Sequence, residues 1–241
     1  MTRLHQSILA NIALLIIAIP SITYGDAPDA GNYLPGFQVT FDTRNRLLGA
    51  KVTLELRAAD VPNEYIFTIE KRARGLAKAM SSGKGSESSR FALTGQGIRP
   101  LHYRGDESDI LFDWDEGIAQ STYKGDTASI ALQPQLFDRL SADIFVMQRL
   151  RSGTVPAAFD IVDRNKIRRY DLITLGEEEI EVPAGTFSTV KLMRRRQGSS
   201  RSTHVWYAVD EDYLPVRIEQ IKNGESSVAL IASELASIGA P

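Results

Sequence analysis

From Gly36 onward, apolar and polar residues alternate. Phe37, Val39 and Phe41 are separated by Gln38 and Thr40. Val52, Leu54 and Leu56 repeat the pattern, as do Tyr65, Phe67 and Ile69, then Ile110, Phe112 and Trp114, and later Val216 and Ile218. A period of two carried by β-branched and aromatic residues marks half-buried strands. Turn formers lie between them at Asp60 to Asn63, Gly83 to Gly85, Gly95 to Gly97, Gly105-Asp106 and Gly125-Asp126. Ser81 to Ser89 is small and polar and reads as a loop tip. One stretch departs from the rule. Leu136, Leu140, Ile144, Met147 and Leu150 recur every three or four positions, which predicts an amphipathic helix near 135–151. Pro134 near its start and Gly153 past its end agree. The fold expected is mainly β: a single curved antiparallel sheet, a half-barrel or open barrel, with that helix plugging its mouth or covering one face.

Two hairpins can be read in detail. In Val182-Pro183-Ala184-Gly185, proline suits the second position of a type I turn and glycine the left-handed residue that starts a bulge. A three-residue loop there pairs Val182 with Thr186, Ile180 with Ser188 and Glu178 with Val190. It puts Ile180, Val182, Val190 and Leu192 on one buried face, and Glu177 opposite Lys191. Asn223-Gly224 is a strong two-residue hairpin signal. It pairs Lys222 with Glu225, Ile218 with Ala229 and Val216 with Ile231.

The first 25 residues stand apart. Arg3 and His5 precede Ile8 to Ile19, and the stretch ends in Thr23-Tyr24-Gly25. This is the layout of a signal peptide cleaved near Gly25, which places the protein in the periplasm. These twelve residues, apolar except for Asn11, reach only about 18 Å, short of a bilayer core of about 30 Å, so no transmembrane span is expected after cleavage. Residues 26–35 read as a flexible leader and 36–238 as one β-rich domain. The chain has no cysteine, which excludes disulfides, thiol chemistry and lipid attachment through cysteine. Without Arg3 there remain 27 basic residues against 30 acidic ones, a balance that argues against nucleic acid as a partner.

The C-terminal half has a recognisable order: IEVPAGTFSTVKL, then HVWYAVDEDYLPVRIE, then the Asn-Gly hairpin. Upstream stand IRPLHYRG, FDWDEG and LFDRLSADIF. Over about Tyr33 to Leu235 this resembles the bacterial exported family called domain of unknown function 3108. More distantly, the layout is similar to the lipoprotein-carrier superfamily, where a curved antiparallel sheet wraps helices and shelters acyl chains. Its helix content is lower than theirs. The resemblance implies a β-rich periplasmic envelope protein and brings no catalytic residues.

Candidate chemistry is sparse. Asp109, Asp113, Asp115 and Glu116 surround Trp114. Paired carboxylates beside an aromatic suit glycan hydrolysis, with Asp113 and Asp115 as the acids; the competing reading is polar residues entering a turn at Gly117. Asp210, Glu211 and Asp212 offer hard oxygens but lack the remaining ligands of a calcium loop. His102 and His204 are too few for a zinc site, so no metal or cofactor is expected. Arg194, Arg195 and Arg196 with Arg201 form the densest positive spot. Alternation puts Arg194 and Arg196 on the Leu192 face, where they would grip phosphate or carboxylate; the competing reading is an edge strand kept from aggregating by charge. Trp114 and Trp206 complete the ligand-contact candidates. The pattern favours a non-catalytic envelope protein that binds a lipid, glycan or protein on a curved sheet. The alternative is a glycan hydrolase working around Trp114.

Overall fold

The computed structural model describes residues 33–43, 49–73 and 84–238; the expected signal peptide and residues 26–32 lie outside them. Strands β1 (Gly36–Thr43), β2 (Ala50–Ala58), β3 (Glu64–Ala73), β4 (Lys84–Thr94), β5 (Gly97–Arg104), β6 (Ser108–Asp113), β7 (Ile118–Tyr123) and β8 (Asp126–Ala131) form one wing of a sheet. A two-residue strand β9 (Leu136–Phe137) and helix α1 (Arg139–Arg151) follow. The second wing is β10 (Ala158–Asp163), β11 (Lys166–Val182), β12 (Gly185–Arg196), β13 (Arg201–Ala208), β14 (Leu214–Lys222) and β15 (Glu225–Ile238). All belong to one 15-stranded sheet in the order 8-7-6-5-4-3-2-1-15-14-13-12-11-10-9. Neighbours are antiparallel except β9 and β10. Strand β1 pairs with β15, so the first and last strands meet in the middle of the sheet.

The alternating residues explain the curvature. Phe37, Val39 and Phe41 pair with Leu56, Leu54 and Val52, and all six are buried. They belong to one apolar cluster that runs from Leu34 to Ala232 and includes α1. The helix touches β3, β4 and β5 on one wing and β9 and β10 on the other, so it lies inside the curve. Phe145 stacks on Phe137 at 4.5 Å and meets Phe159 edge-on at 6.3 Å. The free edges approach each other without forming a ladder. Asn165, in the β10–β11 turn, donates from Nδ2 to the Asp126 carbonyl at 2.8 Å and accepts from Ser121 Oγ at 2.9 Å. The sheet is an open half-barrel stitched by side chains.

Several local expectations need correction. The helix begins at Arg139 rather than 135, because Asp138 caps it and Leu136 and Phe137 pair in parallel with Asp160 and Ile161. Burial also extends past the expected stripe to Ser141, Ala142, Phe145 and Val146, since both wings enclose the helix. From Lys84 onward the supposed loop tip is strand, paired with β3. Its small Ser89 is fully buried and donates to Asp138 Oδ2 at 2.7 Å. Leu34, placed in the leader, is buried, and its N–H donates to Tyr65 Oη at 3.2 Å.

Both hairpin registers shift by one. Val182 pairs with Gly185, Ile180 with Phe187 and Glu178 with Thr189, so the loop is Pro183-Ala184 alone. Ile180 and Val182 therefore face opposite to Val190 and Leu192. The reason is tertiary: the Ala184 N–H of this two-residue turn bonds outside the hairpin, to the Ala232 carbonyl at 3.1 Å, which supports the shorter loop. Gly185 enters the returning strand at φ +145°. Glu177 thereby faces Val190, and Lys191 pairs instead with Glu178 at 3.3 Å. In the other hairpin Lys222 faces Glu225 as read, but Ser227 bulges out, and Ile218 then meets Leu230.

Candidate functional site

Up-and-down connectivity sends the β5–β6, β7–β8, β10–β11, β12–β13 and β14–β15 turns to the same end of the half-barrel. The first turn of α1 reaches that end too, through Arg139. A cleft of about 540 Å³ opens there. Its charged lining is Arg139, Arg164, Arg194, Arg196, Arg201 and Lys222 against a single carboxylate, Asp163. Tyr170, Thr203 and Gln220 line the wall between the charges. A second cleft of about 220 Å³ adjoins it and shares Arg139, Asp163 and Arg164.

Alternation does place Arg194 and Arg196 together on the inward face, with Leu172 and Tyr170 opposite them on β11. Strand β12 lies between β11 and β13, so the arginines are not guarding an edge. Arg195 points the other way, opposite Asp171. The cations fall into two groups. Arg194 bonds Asp143 of α1 and lies 6.0 Å from the Tyr170 ring. Arg139 bonds Glu87, which also accepts from Lys71 at 2.6 Å and from Tyr103 Oη at 2.9 Å. Burial alone would raise the Glu87 carboxyl, but Arg139, Lys71 and Tyr103 outweigh it and hold it below the usual range. Burial and the Glu87 charge push the Tyr103 hydroxyl up. Desolvation works against the charges of Arg194 and of the half-exposed Arg139, but Asp143 and Glu87 outweigh it and hold both guanidiniums charged. In contrast, Arg196, Arg201 and Lys222 have no ion-pair partner among the described residues. Arg201 stands directly opposite Lys222 on adjacent strands.

The other candidates lie elsewhere. Trp114 belongs to the β6–β7 turn at the opposite end, where its Nε1 donates to the Pro100 carbonyl at 2.7 Å and Arg99 lies 5.1 Å from its ring. Asp113 Oδ1 accepts the N–H groups of Asp115 and Glu116 at 3.1 and 2.9 Å, which closes the turn. Asp115 is exposed, and Asp109 pairs with His102 at 3.1 Å. Trp206 is buried on the outward face, with Lys191 4.4 Å and Arg217 4.7 Å from its ring. Its Nε1 donates to Glu178 Oε1 at 2.7 Å. Burial, then Lys191, lowers the nearby His204. Asp212 sits beside Arg151, which donates to its carbonyl at 3.1 Å. Among the described residues no three metal-ligating side chains gather, and no helix is long and apolar enough to cross a membrane.

Sequence reasoning found Arg194, Arg196 and Arg201. It missed Arg139, Arg164 and Lys222, which come from separate segments. Only the Asn165 turn, between the alternating stretches AFDIVD and KIRRYDL, carried a readable signal.

Solved structures similar in outline include MucB, at 12% identity over 88% of this chain and 56% of that one, with a TM-score of 0.36. The Pseudomonas aeruginosa MucA/MucB complex matches at 14% identity over 88% and 54%, with a TM-score of 0.38. The chain spans about half the length of these MucB chains. A Bacteroides fragilis protein described as exported, with a YmcC-like fold, matches at 12% identity over 84% and 96%, with a TM-score of 0.36. No curated protein matches. Residues 37–230, which take in nearly all of the sheet, the helix and the whole of the cationic mouth, match the family described as protein of unknown function (DUF3108), and the chain belongs to that family.

Proposed function

We propose that this is an exported, non-catalytic protein of the bacterial envelope that holds an anionic ligand in the mouth of its half-barrel. One observation carries the reading: six cations surround the cleft against one carboxylate, and three of the six have no ion-pair partner among the described residues. Placing Arg201 directly across from Lys222 costs stability unless an anion lies between them. A cleft of this size suits a small molecule or headgroup. An acyl chain fits less well, because α1 and the aromatic core fill the interior of the curve. The Asp113 carboxylate is engaged in capping its own turn and Asp115 is exposed, which favours binding over glycan cleavage. Export rests on the pattern of residues 1–25 and on the family resemblance.

Titration of the purified protein with tripolyphosphate tests the site. Binding should weaken steeply with salt and fall in the Arg201→Ser/Lys222→Ser variant, while neutral dextran should not bind. Equal binding by wild type and variant would overturn the reading. N-terminal sequencing of the protein recovered from the periplasm should begin at Asp26; an intact Met1 on all of it would overturn export with cleavage.

A further inference from the structure

We propose that the mouth is a two-anion site for a polyhydroxylated ligand. One anionic group seats among Arg196, Arg201 and Lys222, and a second is taken by Arg164 beside Arg139. This rests on the mouth being the ligand site and adds the class of ligand.

Arg164 carries the inference. It lines both clefts, so a ligand that fills the larger one reaches it. It stands with Asn165 in a two-residue turn between Asp163 and Lys166, with φ +50° at Arg164 and +60° at Asn165. Positive φ at both positions is the signature of a type I′ turn, which glycine, asparagine and aspartate adopt readily and a bulky side chain does not. Asn165 fits the rule and Arg164 breaks it. Backbone strain of this kind clusters at functional sites; Lys124, Gln135 and Tyr213 share it, but only Arg164 lines the cationic cleft. The guanidinium is only loosely held elsewhere. Its side chain is 61% exposed, Asp163 is 4.0 Å away, and the Tyr123 ring is 5.6 Å away. A planar fork so loosely held is free to take an anion in bidentate fashion.

The rest of the lining fits a sugar scaffold. Between the charges stand Thr203 and Gln220, which share the inward face with Arg194, Arg201 and Lys222 and are neutral groups that suit hydroxyls. A volume of about 540 Å³ is far larger than one phosphate needs. Phosphate and carboxylate share the chemistry that arginine recognises here.

The test is calorimetry on the full chain with fructose 6-phosphate and fructose 1,6-bisphosphate. The bisphosphate should bind about tenfold tighter than the monophosphate. Arg164→Gly should erase that margin, weakening the bisphosphate about tenfold more than the monophosphate. Its melting temperature should hold or rise, since glycine accepts the left-handed turn. Arg201→Ser/Lys222→Ser should weaken both sugars. Equal affinity for the two sugars in the wild type, or a margin that survives Arg164→Gly, overturns the two-anion site and leaves the mouth as a ligand site. So does tighter binding to phosphatidylglycerol vesicles, which display single dispersed charges, than to the bisphosphate. If tripolyphosphate binds and neither sugar does, the sugar class alone is overturned. If none of the three binds, the parent reading falls with it.

Discussion

Glu87 is buried beneath the mouth, where it holds Arg139, Lys71 and Tyr103 at once. Its carboxyl is held below the ordinary 4.5. The resulting stability is complete above that value and is lost as pH falls through the lower folded value. Glu87→Gln should therefore destabilise the protein at neutral pH, and the gap from wild type should close in acid. Arg139 and Lys71 are 47% and 48% exposed, so solvent screening limits the loss to about 1–2 kcal/mol. Urea unfolding at neutral pH and near pH 3 checks this; a gap that persists in acid would mean that the pairing is not the cause. Gly185 makes a different residue-scale case. A Cβ there would meet the Phe187 ring at 3.3 Å, and φ is +145°. Aromatic rings can shift, but the backbone conformation resists any side chain. Gly185→Val should cost about 1–3 kcal/mol and lower the melting temperature. The sequence reading also called for glycine at 185, through a different turn. Glycine is required under either register, which is why its importance was legible while its role was not.

The helix depends on one cap. Asp138 Oδ1 accepts the Leu140 and Ser141 N–H groups at 2.8 and 3.0 Å, and Oδ2 accepts Ser141 Oγ and, across the core, Ser89 Oγ. Burial raises this carboxyl, although Ser89, Ser141 and Leu140 work against it. The proton is favoured in the folded state, so its benefit is full below 3.8 and disappears as pH rises through the folded value. Asp138→Ala should cost about 2–4 kcal/mol, from the lost cap and the stranded Ser89 hydroxyl. Asp138→Asn keeps an acceptor, buries no charge, and should lose much less at neutral pH. Equal losses in urea unfolding would argue that the cap is dispensable. Elements are also where sequence reading succeeded and then stopped. Period-two runs located β1, β2, β3, β6 and β14, because each buries one face. Register failed at the Pro183-Ala184 loop, which holds two residues where three were expected, and at Ser227, which bulges. A single inserted residue leaves no mark on composition or periodicity. The helix start was misplaced because Leu136 continues the helical spacing while its backbone pairs with Asp160.

At the scale of the molecule, topology does what no local pattern announces. Arg194 and Arg196 were legible because two residues apart on a strand share a face. Arg139, Arg164 and Lys222 join them only because successive turns return to one end, and the curve of the sheet brings those turns around a shared cleft. That curve leaves β8 as an edge, which would ordinarily invite pairing with another chain. Asn165 covers the start of that edge with a hydrogen bond to Asp126 and a second from Ser121 of β7, while its neighbour Arg164 lines the mouth, so closure and the proposed ligand site meet in one turn. Asn165→Gly separates these roles from folding. Glycine accepts φ +60°, so the turn survives and only the side-chain bonds are lost. Each is worth about 0.5–1.5 kcal/mol in general, and exposed ones sit at the low end, so the melting temperature should fall little. Hydrogen exchange should respond more. Amides of β8 and of β10 should exchange faster, since opening the seam does not require unfolding the core that runs from Leu34 to Ala232. Affinity for the bisphosphate should drop as well, because Arg164 keeps its charge but loses its fixed position. If exchange at both edges stays at the wild-type rate, the half-barrel is held closed by the helix and β9 instead, and Arg164 is positioned by its own turn without help from the stitch.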